Sequence, residues 1–239
     1  MLKDFFLDLL FPSRCPVCDR PVSVYDGCAG FCKDCIKKLP VIGGGRCYKC
    51  GRKLQDPVLQ YCTDCLKHGD RHYYDRGLSL CTYDDVMRKS VYRLKYSHRM
   101  EYAQKYGCLM AKAFGGALLR AGADSVAAVP LHPNRVQKRG FNQAEILAKA
   151  FSKETGIPFY KDFVKRDVDT APLKSMTRAQ RQNNLKKDFK LGRNDVKSKV
   201  YIVIDDIYTT GSTIDAVAEV LKCAGVSKIY FITIAIGGD

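Results

Sequence analysis

Beyond residue 76 the apolar positions of this chain switch between two periods. Residues 77–83 alternate apolar and polar side chains as a strand does. Residues 85–119 carry apolar side chains at helical spacing, with a break expected near Ser97 and His98. The pattern then predicts a short apolar strand over 126–130 and a helix over 141–154 that stops before Gly156 and Pro158. A strongly β-branched strand follows over 200–204, a helix over 212–223 closing at Gly225, and a nearly all-apolar strand over 229–236. Uninterrupted apolar strands separated by helices indicate a parallel sheet covered on both faces, since each face must meet apolar side chains rather than water. Residues 77–239 therefore read as a doubly wound α/β domain, whose ligands are expected beyond the carboxyl ends of the strands.

Residues 1–76 follow neither period. Residues 5–11 read as a short amphipathic helix, interrupted by Asp8 and far short of the roughly 20 apolar residues a membrane span needs. The start also lacks the layout of a secretion signal, so a cytoplasmic address is expected. Nine of the chain's 12 cysteines fall within the first 65 residues, in a compartment where metal is favoured over disulfides. Four CxxC pairs stand out: Cys15/Cys18, Cys32/Cys35, Cys47/Cys50 and Cys62/Cys65. Two residues between thiolates let both sulfurs of a tight turn face one ion, and two such turns close a tetrahedral site. Zinc in a structural role is the expectation, because four sulfurs leave no open position for chemistry. Sequential pairing is simplest, and the spacing also permits a cross-braced pairing of first with third and second with fourth. Cys28 is a spare thiol; His68 and His72 are expected outside the ligand sets. The expected units are 1–76, a helix plus double zinc ribbon, and 77–239.

The formal net charge is +15. Residues 1–80 hold 13 Lys and Arg against 9 Asp and Glu, and two Zn(Cys)₄ centres would neutralise that excess. Most of the remaining charge lies over 131–193, with 15 Lys and Arg against 6 Asp and Glu. A surface of this kind suits a phosphate ester or a nucleic acid.

The most informative stretch is 201–213. A buried strand ends in Asp205 and Asp206; Thr209, Thr210, Gly211, Ser212 and Thr213 follow, and a helix begins there. Backbone N–H groups and hydroxyls at a helix N-terminus hold a phosphate well, and Gly211 permits the tight turn. Two acids beside an anion site make sense as acceptors for sugar hydroxyls. The combination reads ribose 5-phosphate, and a nucleotide P-loop is absent. A second segment, with Arg135, Lys138 and Arg139 before a helix, sits at the same end of the sheet and offers cations for a pyrophosphate. Arg88, Lys89, Arg93, Lys95 and Arg99 form a basic helix stretch with Tyr92 and Tyr96 interleaved; aromatics among cations can stack the bases of a single strand, whereas tyrosines at helical spacing are more often packing residues. A polar segment with Lys174, Arg178, Arg181 and Asn184 suits a loop over a ligand.

Residues 205–213 closely resemble the PRPP-binding motif of type I phosphoribosyltransferases. That resemblance implies ribose hydroxyls on Asp205 and Asp206, the 5′-phosphate on Thr209–Thr213, and Mg²⁺ with the pyrophosphate of PRPP. The whole chain, in order, resembles the ComF family of competence-related proteins. The matching features are the CxxC start after Leu10, Phe11 and Pro12, the run Leu94, Lys95 and Tyr96, the run Arg139 to Gln143, the Arg178/Arg181/Asn184 loop, and the Asp205–Thr213 motif. The resemblance implies PRPP binding, single-stranded DNA binding and a role in DNA uptake with its machinery, with Arg93, Lys95, Lys138, Arg178 and Arg181 as nucleic-acid contacts. The alternatives are a Mg²⁺-dependent phosphoribosyltransferase of nucleotide metabolism, in which Asp205, Asp206, Arg135 and Arg139 serve catalysis, and a PRPP-sensing adaptor.

Overall fold

The computed structural model describes residues 12–22, 27–28, 30–68, 71–97, 99–166, 188–192 and 199–237. The expected helix over 5–11, the side chain of Cys28, His98, and the segment holding Lys174, Arg178, Arg181 and Asn184 lie outside these residues.

Four parallel strands form the central sheet: β3 (Arg76–Thr82), β8 (Lys228–Ile236), β7 (Val200–Tyr208) and β4 (Ser125–Ala128), in that spatial order. The two long central strands are buried on both sides, which is why their sequences hold so few charges. Alternate residues feed two cores. Ile202, Ile204, Ile232 and Ile234 join one core with helices α3 (Asp85–Tyr96), α4 (Met100–Arg120) and α6 (Gln143–Thr155). Tyr201, Val203 and Phe231 join the other with α7 (Ser212–Cys223) and the second cysteine ribbon. The doubly covered sheet matches the apolar pattern. α4 and α6 cross closely at Gly107, where an added Cβ would stand 2.6 Å from the Cβ of Ala150 and 2.7 Å from the carbonyl oxygen of Leu147.

The amino-terminal segment is built around short elements: β1 (Gly27–Cys28) paired antiparallel with β2 (Phe31–Cys32), then α1 (Lys33–Lys38) and α2 (Thr63–His68). It packs directly on the sheet domain. Phe31 meets Tyr106 edge-on at 5.1 Å, Ser90 Oγ donates to the Pro16 carbonyl at 2.8 Å, and the Arg93 guanidinium donates to the Val17 carbonyl. The second ribbon joins through the Gly77 N–H, which donates to the Lys49 carbonyl at 2.7 Å.

Three local differences from the sequence pattern matter. β7 runs on to Tyr208, so Asp205 and Asp206 belong to the strand rather than to the turn after it. The basic stretch after β4 contains a short helix, α5 (Pro133–Arg139), capped by His132 and ended by Gly140 in the left-handed conformation. Seven residues are too few to show a helical period, although Pro at the start and Gly at the end are its usual signals. An antiparallel pair of strands, β5 (Val164–Arg166) and β6 (Phe189–Leu191), packs beside α7. Among the described residues no helix is long and apolar enough to cross a membrane.

Candidate functional site

A cleft opens at the carboxyl ends of β4 and β7. Its lining includes Lys95, Arg135, Arg139, Arg166, Asp205 and Asp206. Local structure explains how these arrive together. Asn142 caps α6 by accepting from the Ala144 N–H at 3.1 Å, and its amide donates to the Val129 carbonyl at 3.0 Å. That pins the start of α6 to the end of β4 and turns Gln143 inward, 4% exposed. The Gln143 amide donates to Asp206 at 2.8 Å and accepts from Arg139 at 3.2 Å. From the other side α3 sends Lys95, whose Nζ lies 3.0 Å from Asp206.

Asp206 is therefore a buried carboxylate held by one cation and one amide. Its neighbour Asp205 is half-buried, and its carboxyl accepts from the Asp206 N–H at 2.8 Å. Burial, and then the charge of Asp206, push Asp205 up to about 7, against the pull of Lys95 and Arg139. A carboxyl in that state gains from new hydrogen-bond donors or a cation, and a bound polyhydroxyl ligand supplies donors.

The loop after β7 completes the site. Gly211 has φ 78°, the left-handed region, and starts α7 with no side chain capping the first turn. Its helix N–H groups are thus available to an anion. Thr210 and Ser212 hydroxyls lie 3.0 Å apart across the glycine, Thr209 and Thr210 are exposed, and Thr213 lines the cleft. Beneath the loop, the hydroxyl of buried Tyr208 is hydrogen-bonded to that of Tyr74 at 2.7 Å. His72 stacks on Tyr74 at 4.9 Å, its Nδ1 lies 3.4 Å from an Asp215 carboxylate oxygen, and the Tyr73 N–H donates to the same carboxylate at 2.7 Å. The segment leaving the second ribbon thus grips the first turn of α7 from below.

The cysteines form two quartets: Cys15, Cys18, Cys32 and Cys35, and Cys47, Cys50, Cys62 and Cys65. Within each, the sulfurs lie within 4.8 Å of one another. Cys18 and Cys32 sulfurs are 3.8 Å apart, and those of Cys50 and Cys62 are 3.7 Å apart. Tetrahedral Zn–S bonds of about 2.3 Å require sulfurs about 3.8 Å apart, so both quartets fit zinc. The pairing is sequential; the cross-braced alternative does not occur. His72 is a packing residue of the α7 support rather than a ligand.

A family model described as double zinc ribbon domain matches residues 6–66, and one described as phosphoribosyl transferase domain matches residues 136–238. Competence protein F of Haemophilus influenzae is 27% identical over 225 residues, 92% of this chain and 95% of that protein. DNA utilization protein YhgH of Escherichia coli is 27% identical over 224 residues, covering 92% and 96%. Competence protein ComFC of Bacillus subtilis is 27% identical over 212 residues, covering 84% and 83%. The chain is a homologue of these competence and DNA utilization proteins over most of its length. Its fold is a phosphoribosyltransferase-type sheet joined to a double ribbon with two four-cysteine structural zinc sites.

Asp205, Asp206, Arg135, Arg139 and Lys95 all line one cleft, together with Thr213 from the loop after β7. Lys138 is exposed on α5. Arg93 faces the first ribbon, and Arg99 lies 3.9 Å from Asp19 and 3.7 Å from Glu101. The pattern of the sequence did not reveal Arg166. It lines the cleft from the end of β5, lies 3.0 Å from fully buried Asp188, and stands 5.2 Å over the Phe189 ring. No motif surrounds it, and a three-residue strand gives no period to detect.

Proposed function

We propose that this chain binds PRPP with Mg²⁺ in the cleft and single-stranded DNA on the adjoining basic surface, and that it acts in the cytoplasm in DNA uptake with partner proteins of that machinery. The observation that carries the PRPP reading is the pairing of buried Asp206 and half-buried Asp205 with an uncapped helix start on one strand–loop–helix unit. Asp205 and Asp206 accept from ribose hydroxyls, and Thr209, Thr210, Gly211, Ser212 and Thr213 hold the 5′-phosphate. Arg135, Arg139 and Arg166, which line the same cleft, would hold the pyrophosphate of PRPP. Mg²⁺ supplies charge neutralisation of that pyrophosphate when bound. Residues 1–76 form the metal-held unit that supports the loop, and 77–239 the ligand-binding unit.

The names of the relatives, competence protein and DNA utilization protein, support the DNA reading. The cations Lys95 and Lys138, with Arg93 on the ribbon side and Arg178 and Arg181 beyond the described residues, are its proposed contacts. A second reading, a phosphoribosyltransferase proper, is favoured by Arg135 and Arg139 in the cleft, where they assist pyrophosphate departure by stabilising developing charge.

The test is calorimetric titration of PRPP with and without Mg²⁺, alongside binding of a single-stranded oligonucleotide at graded salt. Mg²⁺-dependent PRPP binding and DNA affinity that falls steeply with salt are expected. Absence of either removes that half of the proposal. Pyrophosphate release on adding nucleobases would promote the enzymatic reading.

A further inference from the structure

Tyr92 and Tyr96 stand one turn apart on α3. Their spacing suits packing, yet the structure leaves them 65% and 53% exposed while Met87, Val91 and Leu94 of the same helix fill the core. Their ring centroids are 4.7 Å apart at 42°. The rings lie at the rim of the cleft: the Arg139 guanidinium stands 5.3 Å over Tyr96 and also lines the cleft, while Lys95, next in sequence to Tyr96, reaches inward to Asp206. Lys89 on α3 and Lys138 on α5 add exposed positive charge nearby in sequence. Two solvent-facing aromatic rings bordered by cations match the chemistry of an unpaired nucleobase and its phosphate: a flat π-face for stacking, and a cation for the backbone. A duplex offers no free π-face, and an acidic peptide has no use for the rings.

We infer that Tyr92 and Tyr96 form a ledge on which an unpaired base of single-stranded DNA stacks, with Arg139 joining the ledge to the cleft. This rests on the DNA reading above and adds where the bases sit. The ledge and the cleft share one cation, Arg139.

The experiment is fluorescence anisotropy with a labelled thymidine oligomer of about 12 nucleotides and an abasic strand of the same length. Wild type, Tyr92→Ala, Tyr92→Phe and Tyr96→Ala are compared. The expected result is a loss of about 5- to 150-fold in affinity for the thymidine strand in Tyr92→Ala, with Tyr92→Phe near wild type. Affinity for the abasic strand and the salt slope stay unchanged, since phosphate contacts are untouched. Tyr92 is 65% exposed, so the thermal midpoint and PRPP-induced shift of Tyr92→Ala should stay at wild-type values and report an intact fold. If wild type binds DNA with a steep salt slope but Tyr92→Ala and Tyr96→Ala bind both strands as wild type does, the ledge is refuted and the DNA reading stands. If wild type binds no oligonucleotide, both fall together.

Discussion

Replacing Gly211 by alanine tests whether the phosphate-type loop has the geometry described. At φ 78° a side chain costs about 1–2 kcal/mol in backbone strain alone. The new methyl would also stand 2.7 Å from Cζ and 2.9 Å from Cε2 of Tyr208, and nearer still to its hydroxyl. Tyr208 has little room to yield. It is 4% exposed, stacks on Phe231 at 4.8 Å and 3°, and shares a 2.7 Å hydrogen bond with Tyr74. Breaking that buried hydrogen bond costs about 1–3 kcal/mol more. The total, about 2–5 kcal/mol, is a large part of the stability of an ordinary domain. The alternative relaxation, in which the loop lifts away, moves the helix N–H groups off their positions and removes phosphate binding. Urea unfolding and PRPP titration of Gly211→Ala read the two routes separately. A Tyr208→Phe/Gly211→Ala pair should be less damaging than the sum of its parts, because the nearest clashing atom is gone. Gly211→Ala within 0.5 kcal/mol of wild type, with undiminished PRPP affinity, would refute this geometry.

Metal analysis should find two zinc ions per chain. Cys65→Ala should lose one of them, lower the thermal midpoint and weaken PRPP binding, because Tyr74 and His72 lead from the second ribbon to the loop. The carboxyl of Asp205, raised to about 7 in the folded protein against about 3.9 unfolded, is a group whose contribution to stability is fully present below the unfolded value. That contribution is lost as pH rises from about 4 through 7 and is level above. Asp205→Asn should therefore gain stability relative to wild type between pH 5 and pH 8 in paired urea titrations. PRPP affinity should move the other way in wild type, rising as the carboxyl ionises, and this dependence should flatten in Asp205→Asn. The Tyr92 series described above completes the set.

Where the sequence was legible, one contiguous segment carried both the element and its chemistry. Strand, acids, hydroxyls, glycine and helix follow one another from residue 200 to 223, so local pattern sufficed. The CxxC pairs were readable for the same reason, and only their pairing needed three dimensions. Contacts across long separations were not readable. Lys95 reaches Asp206 and Tyr74 reaches Tyr208 only because β3, β7 and β8 lie side by side. Arg166 comes from a strand too short to show a period, and α5 is hidden among loop-like polar residues. Tyr92 and Tyr96 kept helical spacing without facing the core, since spacing fixes their common face but not which way that face points.

The acids of β7 and the loop after it are proposed to hold a ribose phosphate. Thermal unfolding with Mg²⁺ and increasing PRPP, on wild type and on Asp205→Asn/Asp206→Asn, tests it most directly. At a hundred times the dissociation constant wild type should gain about 2.7 kcal/mol, or roughly 5–10 °C for a chain of this size, and the double variant nothing. An equal rise in both proteins, or none in wild type, would contradict the claim.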